Sequence, residues 1–135
     1  MIKLIIGKKG SGKTKRLVDS VNTATRESLG NVVCVEKGNA LTHSVNNRAR
    51  LIDTEDFGIT GYNEYYGLIA GIRASNYDVT HIFGDATLRI GGNNYEELAA
   101  FFKRLGSIED VQFVFTISAD ESEIPAYIFD LAEKF

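Results

Sequence analysis

One cysteine, one proline and two histidines are all that 135 residues carry of the types that staple, kink or ligate. Cys34 has no second cysteine to pair with, so no internal disulfide forms, and a reducing, cytoplasmic setting is the expectation. His43 and His81 stand apart with no ligand-spaced neighbours, so the chain shows no transition-metal motif. No stretch approaches the ~18 consecutive apolar residues that argue for a membrane span. The opening MIKLIIG has too short an apolar run, and no cleavage site after it, to read as a signal peptide. Basic excess is also missing: 15 Lys and Arg face 18 Asp and Glu, a net charge of −3. Broad neutralisation of nucleic-acid phosphates is therefore not the expectation, although the count leaves room for one small basic patch. No repeat, low-complexity tract or linker divides the chain, which suits a single domain over 1–135. A domain of this length buries about two-thirds of its unfolded surface and needs no staple.

What is present is alternation. Residues 2–6, IKLII, form a short apolar run closed by Gly7 and suit a buried strand. Over 13–28, Leu17, Val18, Val21 and Ala24 recur at helical spacing, and Gly30 then stops the helix. NVVCVE (31–36) reads as a second buried strand, and RARLIDT (48–54) as a short one. Tyr62, Tyr65, Tyr66, Ile69 and Ile72 make a helical stripe over 61–75. Gly67 and Gly71 weaken it by roughly 1 kcal/mol each, unless they serve close packing on a sheet. DVTHIFGD (78–85) is a strand ending in an acid, with His81 expected to share a face with Val79 and Phe83. A clear amphipathic helix covers 94–105, VQFVFTIS (111–118) is a further strand, and 123–134 reads as a last helix with Pro125 in its first turn. Strand and helix in alternation imply parallel strands joined by crossovers and a mostly parallel sheet of four or five strands covered on both faces. Ligands of such sheets sit beyond the carboxyl ends of the strands. The loop after Gly7, Asp85 and Ser118 all fall there.

The stretch GKKGSGKT, Gly7 to Thr14, fits G-x-x-x-x-G-K-[ST] in full, between an apolar strand and an amphipathic helix. Each letter has a task. Glycines let the backbone curl so that successive N–H groups aim at phosphate oxygens, and the helix N-terminus adds its dipole. Lys13 then reaches the β- and γ-phosphates, and the Thr14 hydroxyl suits Mg²⁺. The whole nucleotide-binding stretch is Gly7, Lys8, Lys9, Gly10, Ser11, Gly12, Lys13, Thr14 and Lys15.

On this Walker A loop the chain resembles the P-loop NTPase superfamily, in its RecA-like, additional-strand group. It also looks like small bacterial ATP-binding proteins sometimes labelled twitching-motility proteins. The resemblance implies a three-layer α/β fold, Mg-ATP or ADP as ligand, and an acid at the end of an apolar strand to help hold the metal. Asp85 has that placement, with Asp53 the competitor on a weaker strand. Gly84 before the acid departs from the usual bulky residue, and Ala86 after it stands where many RecA-like ATPases carry a water-orienting glutamate. Glu36, at the end of the second strand, is either the substitute for that glutamate or a solvated acid. Thr116 and Ser118 occupy the strand end where the group often places a γ-phosphate sensor.

Other signals bear on function. The N-K-x-D guanine reader is lacking after strand four, which favours adenine. Lys8 invites comparison with dimeric partitioning ATPases, whose loop lysine crosses to the partner's nucleotide, but Lys9 follows where they have glycine. The tyrosines at 62, 65 and 66 suit either base stacking or core packing. Arg73, Arg89 and Arg104 are candidate arginine fingers, Arg89 lying nearest Asp85 in sequence. Three functions follow: a slow Mg-ATPase, a nucleotide-dependent interaction module that recruits a partner or self-associates with negligible turnover, and a nucleoside-type kinase. Thymidine kinases share a short RecA-like order but place a glutamate after the acid and often a zinc ribbon later, and this chain has neither.

Overall fold

The computed structural model describes residues 1–135 throughout. Strand β1 (Ile2–Gly7) leads through the glycine loop into helix α1 (Lys13–Glu27), and β2 (Asn31–Glu36) follows. A non-regular stretch then leads to β3 (Arg50–Asp53), a 3-10 turn over Thr54–Phe57, α2 (Tyr62–Ser75) and β4 (Val79–Gly84). Short α3 (Thr87–Gly91), α4 (Tyr95–Leu105) and β5 (Gln112–Ser118) come next. The chain ends in a 3-10 turn over Glu121–Glu123, short α5 (Ala126–Phe129) and the two-residue β6 (Glu133–Lys134). The sheet has six strands in the order β3-β2-β4-β5-β1-β6, all parallel. β5 thus separates the strand that carries the glycine loop from the strand that leads to Asp85.

The sheet's two faces are covered unequally. On one, α2 to α5 bury a cluster of 22 residues centred on Tyr65, Phe101, Phe102, Phe113 and Phe115. The other holds 11, drawn from α1, the strands and the 37–49 segment through Leu41, Val45 and Ala49. Strand alternation sorts the side chains between them. Val33 and Val35 face the larger cluster, Val32 and Cys34 the α1 side. Phe83 and Val114 also face α1. Glu36, Thr116 and Ser118 continue those α1-facing rows to the carboxyl ends of β2 and β5, and Asp85 stands one residue past the end of β4.

Several expectations need correction. The sheet has six strands, not four or five, because β6 adds to the free edge of β1. A continuous helix over 123–134 does not form. Ile124, immediately before Pro125, is extended (φ −90°, ψ 123°), as the proline ring demands of the residue preceding it. Asp120 and Glu123 instead build a capping box around the 3-10 turn, and only Ala126–Phe129 becomes α-helical. Val79 and His81 do not share a face. The β2–β4 register slips between Asn31 and Val32, sending Val79 into the larger cluster, while His81 lies half-buried and stacks on Phe83 at 6.0 Å and 7°. Burial pushes the His81 imidazole below its ordinary pKa. Gly67 and Gly71 serve no close packing, since an added Cβ at either meets open space.

Candidate functional site

The loop is shaped by its glycines. Gly10 (φ 84°) and Gly12 (φ 87°) take left-handed backbone that side chains resist, and a Cβ on Gly7 would collide with the Ser11 hydroxyl. Gly12 brings no side chain to cap α1, and no acid stands in the first turn. The leading N–H groups of a helix have no acceptor within it, so this N-terminus keeps both its donors and its partial positive charge. Lys13 is 8% exposed, and its ammonium folds back to donate to the Lys8 carbonyl at 3.2 Å. Of the three long cations in the first turn, Lys13, Lys15 and Arg16, only Lys13 is buried, and it is thereby held over its own loop. Lys9, Lys15 and Ser11 are exposed around it. Lys15 pairs with Asp19 at 3.1 Å and Lys8 with Asp120 at 3.4 Å, both at the surface. Hydrogen bonds from the Ser122 backbone and side chain hold the Asp120 carboxyl below its ordinary pKa, with Lys8 adding to the effect.

Asp85 meets this loop from β4. Its N–H donates to the Val35 carbonyl at 2.9 Å, which extends the β2 ladder one step past the strand. The Thr14 hydroxyl lies 3.4 and 3.3 Å from the two Asp85 carboxylate oxygens. Asp53 is occupied otherwise. One of its oxygens accepts from the N–H groups of Gly38 and Glu55 at 2.8 and 2.9 Å, capping the turn after β3. Gly84 has a packing reason that the sequence did not reveal: a Cβ there would strike the Tyr65 hydroxyl and the Phe115 ring.

Thr116 is 1% exposed. It donates to Asp85 at 2.6 Å and accepts from the Ala86 N–H at 2.9 Å. Ala86 itself is left-handed (φ 53°, ψ 47°), a conformation rare for a residue with a Cβ. Ser118 is exposed and lies in register with Gly7 at the mouth of the loop.

Glu36 is no solvated acid, being 3% exposed. One oxygen accepts from the Leu41 N–H at 3.2 Å, and the other is buried without a partner. Burial raises its pKa, the Leu41 N–H opposes, and Asp53 and Asp85 push further upward. Cys34, fully buried nearby, has its thiol pKa raised by burial and then by Asp85 and Glu36, so it is inert.

Tyr62 and Tyr65 lie in the core, stacked about Phe101, and Tyr66 lies under the Arg104 guanidinium at 3.8 Å. No tyrosine of the three borders the loop as a free stacking face. Arg73 is bound to its own helix end through the Tyr77 carbonyl and ring. Arg89 is exposed on α3. The site therefore gathers Lys13, Thr14, Asp85, Thr116 and Ser118 around the loop mouth, with Glu36 behind them under the 37–49 segment. Two of its features went unseen in the sequence: the Leu41 N–H on Glu36 and the left-handed Ala86. Only the unusual glycine before Asp85 hinted that this strand end is packed in a special way.

These layers and this strand order are those of the three-layer P-loop, RecA-like α/β fold. A solved structure similar to this chain is the flagellar accessory protein FlaH from Methanocaldococcus jannaschii, with a TM-score of 0.62 and 16% identity over 96% of this chain. The chain spans 65% of FlaH's length, and at this identity the likeness is one of fold. No protein-family model matches the chain, and no curated protein matches it either. No helix is long and apolar enough to cross a membrane.

Proposed function

We infer that the protein binds a nucleoside triphosphate, ATP by preference, with Mg²⁺ and hydrolyses it slowly. The observation that carries this reading is the uncapped α1 N-terminus with Lys13 folded over its loop beside the Thr14–Asp85 pair. Free N–H groups and a buried ammonium suit a polyphosphate. A hydroxyl and a carboxylate are hard oxygen donors that suit Mg²⁺, which when bound offsets phosphate charge. Ser118, exposed and level with Gly7, is the polar group free to meet the terminal phosphate. In hydrolysis the water oxygen bonds to the γ-phosphorus as the bond to the bridging oxygen breaks. Glu36 is the acid available to orient that water, through the carboxylate oxygen that the Leu41 N–H leaves without a partner.

A second reading has its own support. Ala86 carries no acid, and Glu36 is buried under the 37–49 segment, so the resting chain lacks a poised base. That arrangement suits a nucleotide-dependent interaction module, whose unknown partner or second copy reads the bound state. Calorimetric titration of ATP into the wild type and K13A tests the shared core of both readings. K13A should lose at least about tenfold in affinity, the worth of a hydrogen-bonded charge contact. Unchanged affinity would refute both. Phosphate release by the pure chain then separates them, fast turnover ruling out the module.

A further inference from the structure

Thr116 stands where the resemblance to RecA-like proteins suggests a phosphate sensor, yet its hydroxyl proton is already committed. A threonine hydroxyl has one proton to give. Here that proton goes to Asp85 at 2.6 Å, while the oxygen accepts the Ala86 N–H at 2.9 Å. The side chain is 1% exposed, so water does not compete for either bond. From the other side, the Val35 carbonyl holds the Asp85 N–H at 2.9 Å. The Asp85–Ala86 unit is thus gripped by both neighbouring strands. The grip has something to hold, because Ala86 is left-handed (φ 53°) and such backbone persists only where its surroundings over-determine it. The carboxylate so fixed is the one that lies against Thr14.

We propose that Thr116 is a positioning residue for the metal acid: its hydroxyl locks the Asp85 carboxylate toward Thr14 and the Ala86 turn beneath it, and it does not read the phosphate. The phosphate-facing polar group of β5 is then Ser118, two residues on along the same face. The proposal rests on the Mg-nucleotide reading above, and its test keeps the two apart.

ATP affinity is measured by calorimetry with Mg²⁺ and with EDTA for the wild type, T116V and T116S, together with hydrogen exchange at the Ala86 amide in the nucleotide-free protein. T116V should bind ATP as the wild type does in EDTA. It should lose about tenfold or more of the gain that Mg²⁺ brings, the loss expected when a carboxylate forfeits a hydrogen bond. T116S keeps the hydroxyl and should restore that gain. Exchange at Ala86 should quicken in T116V and not in T116S. A buried, purely structural threonine would change affinity alike in both conditions, and that result would overturn the proposal. So would a T116V that keeps the Mg²⁺ gain but no longer prefers ATP to ADP, the mark of a phosphate contact. If T116V fails to fold, T116A makes the same comparison. A wild type that binds ATP without any Mg²⁺ gain overturns the positioning role and the metal part of the proposed function, and leaves nucleotide binding standing. A wild type that binds no nucleotide refutes the function as well.

Discussion

Ala86 is left-handed at the very position where the chain turns from Asp85 into α3. The left-handed cost to an L-residue is about 1–2 kcal/mol, and glycine avoids it while giving back about 0.4–1 kcal/mol through its freer unfolded chain. A86G is therefore expected to raise stability by about 0.5–1 kcal/mol in urea unfolding, given that the turn itself is kept. A loss of stability would mean that the Thr116 grip needs the methyl group. Glu36 makes a pH-dependent prediction. Its folded pKa is raised above the ordinary 4.5, chiefly by burial, so the native state holds the proton more tightly than the unfolded chain. That contribution is fully present below 4.5 and is lost as pH rises through the folded value. E36Q keeps an acceptor for the Leu41 N–H and carries no charge. It should exceed the wild type in melting temperature at neutral pH, with the difference shrinking as pH falls toward 4.5. A constant difference across that range would show that Glu36 is not buried as described.

At the scale of elements, the helices and strands with strong periodicity were legible and their ends were not. Leu98, Ala99, Phe102 and Leu105 make α4 plain because all four enter one core. The tail from 123 to 134 looked like the same pattern, since Ile124, Ile128 and Ala132 are indeed buried and spaced by four. Ile124 follows the 3-10 turn, Ile128 lies in α5 and Ala132 precedes β6, so spacing alone misled. The β2–β4 slip that separates Val79 from His81 leaves no trace in composition. In α2, Gly67 and Gly71 are exposed with room for a Cβ, so they weaken the helix without a packing return. G67A and G71A should each stabilise by up to about 1 kcal/mol in thermal or urea unfolding. Destabilisation by either would mean that the space beside α2 is used.

At the scale of the molecule, the loop and its acid partner were readable because both follow from a motif and a strand end. The relations between distant strands were not, because a hydroxyl on β5 gripping the end of β4 is a product of sheet order. Lys13, Thr14 and Asp85 could be named from the sequence, but Glu36 under Leu41 could not be foreseen. The faces of the sheet also differ, with 22 buried residues on the α2–α5 side against 11 on the α1 side. The better-covered face is the scaffold, and the candidate site lies at the strand ends of the face with less cover, beside α1 and the 37–49 segment. If the whole molecule is a nucleotide-binding device, ligand must stabilise all of it. Thermal unfolding with ATP, ADP and GTP, each with Mg²⁺ and with EDTA, measures this directly. At a hundred times its dissociation constant a ligand adds about 2.7 kcal/mol, or about 10 °C for a chain of this size. The expected result is a rise of that order with Mg-ATP, smaller with EDTA and smaller still with GTP. No shift with any nucleotide at millimolar concentration would contradict the account at its centre.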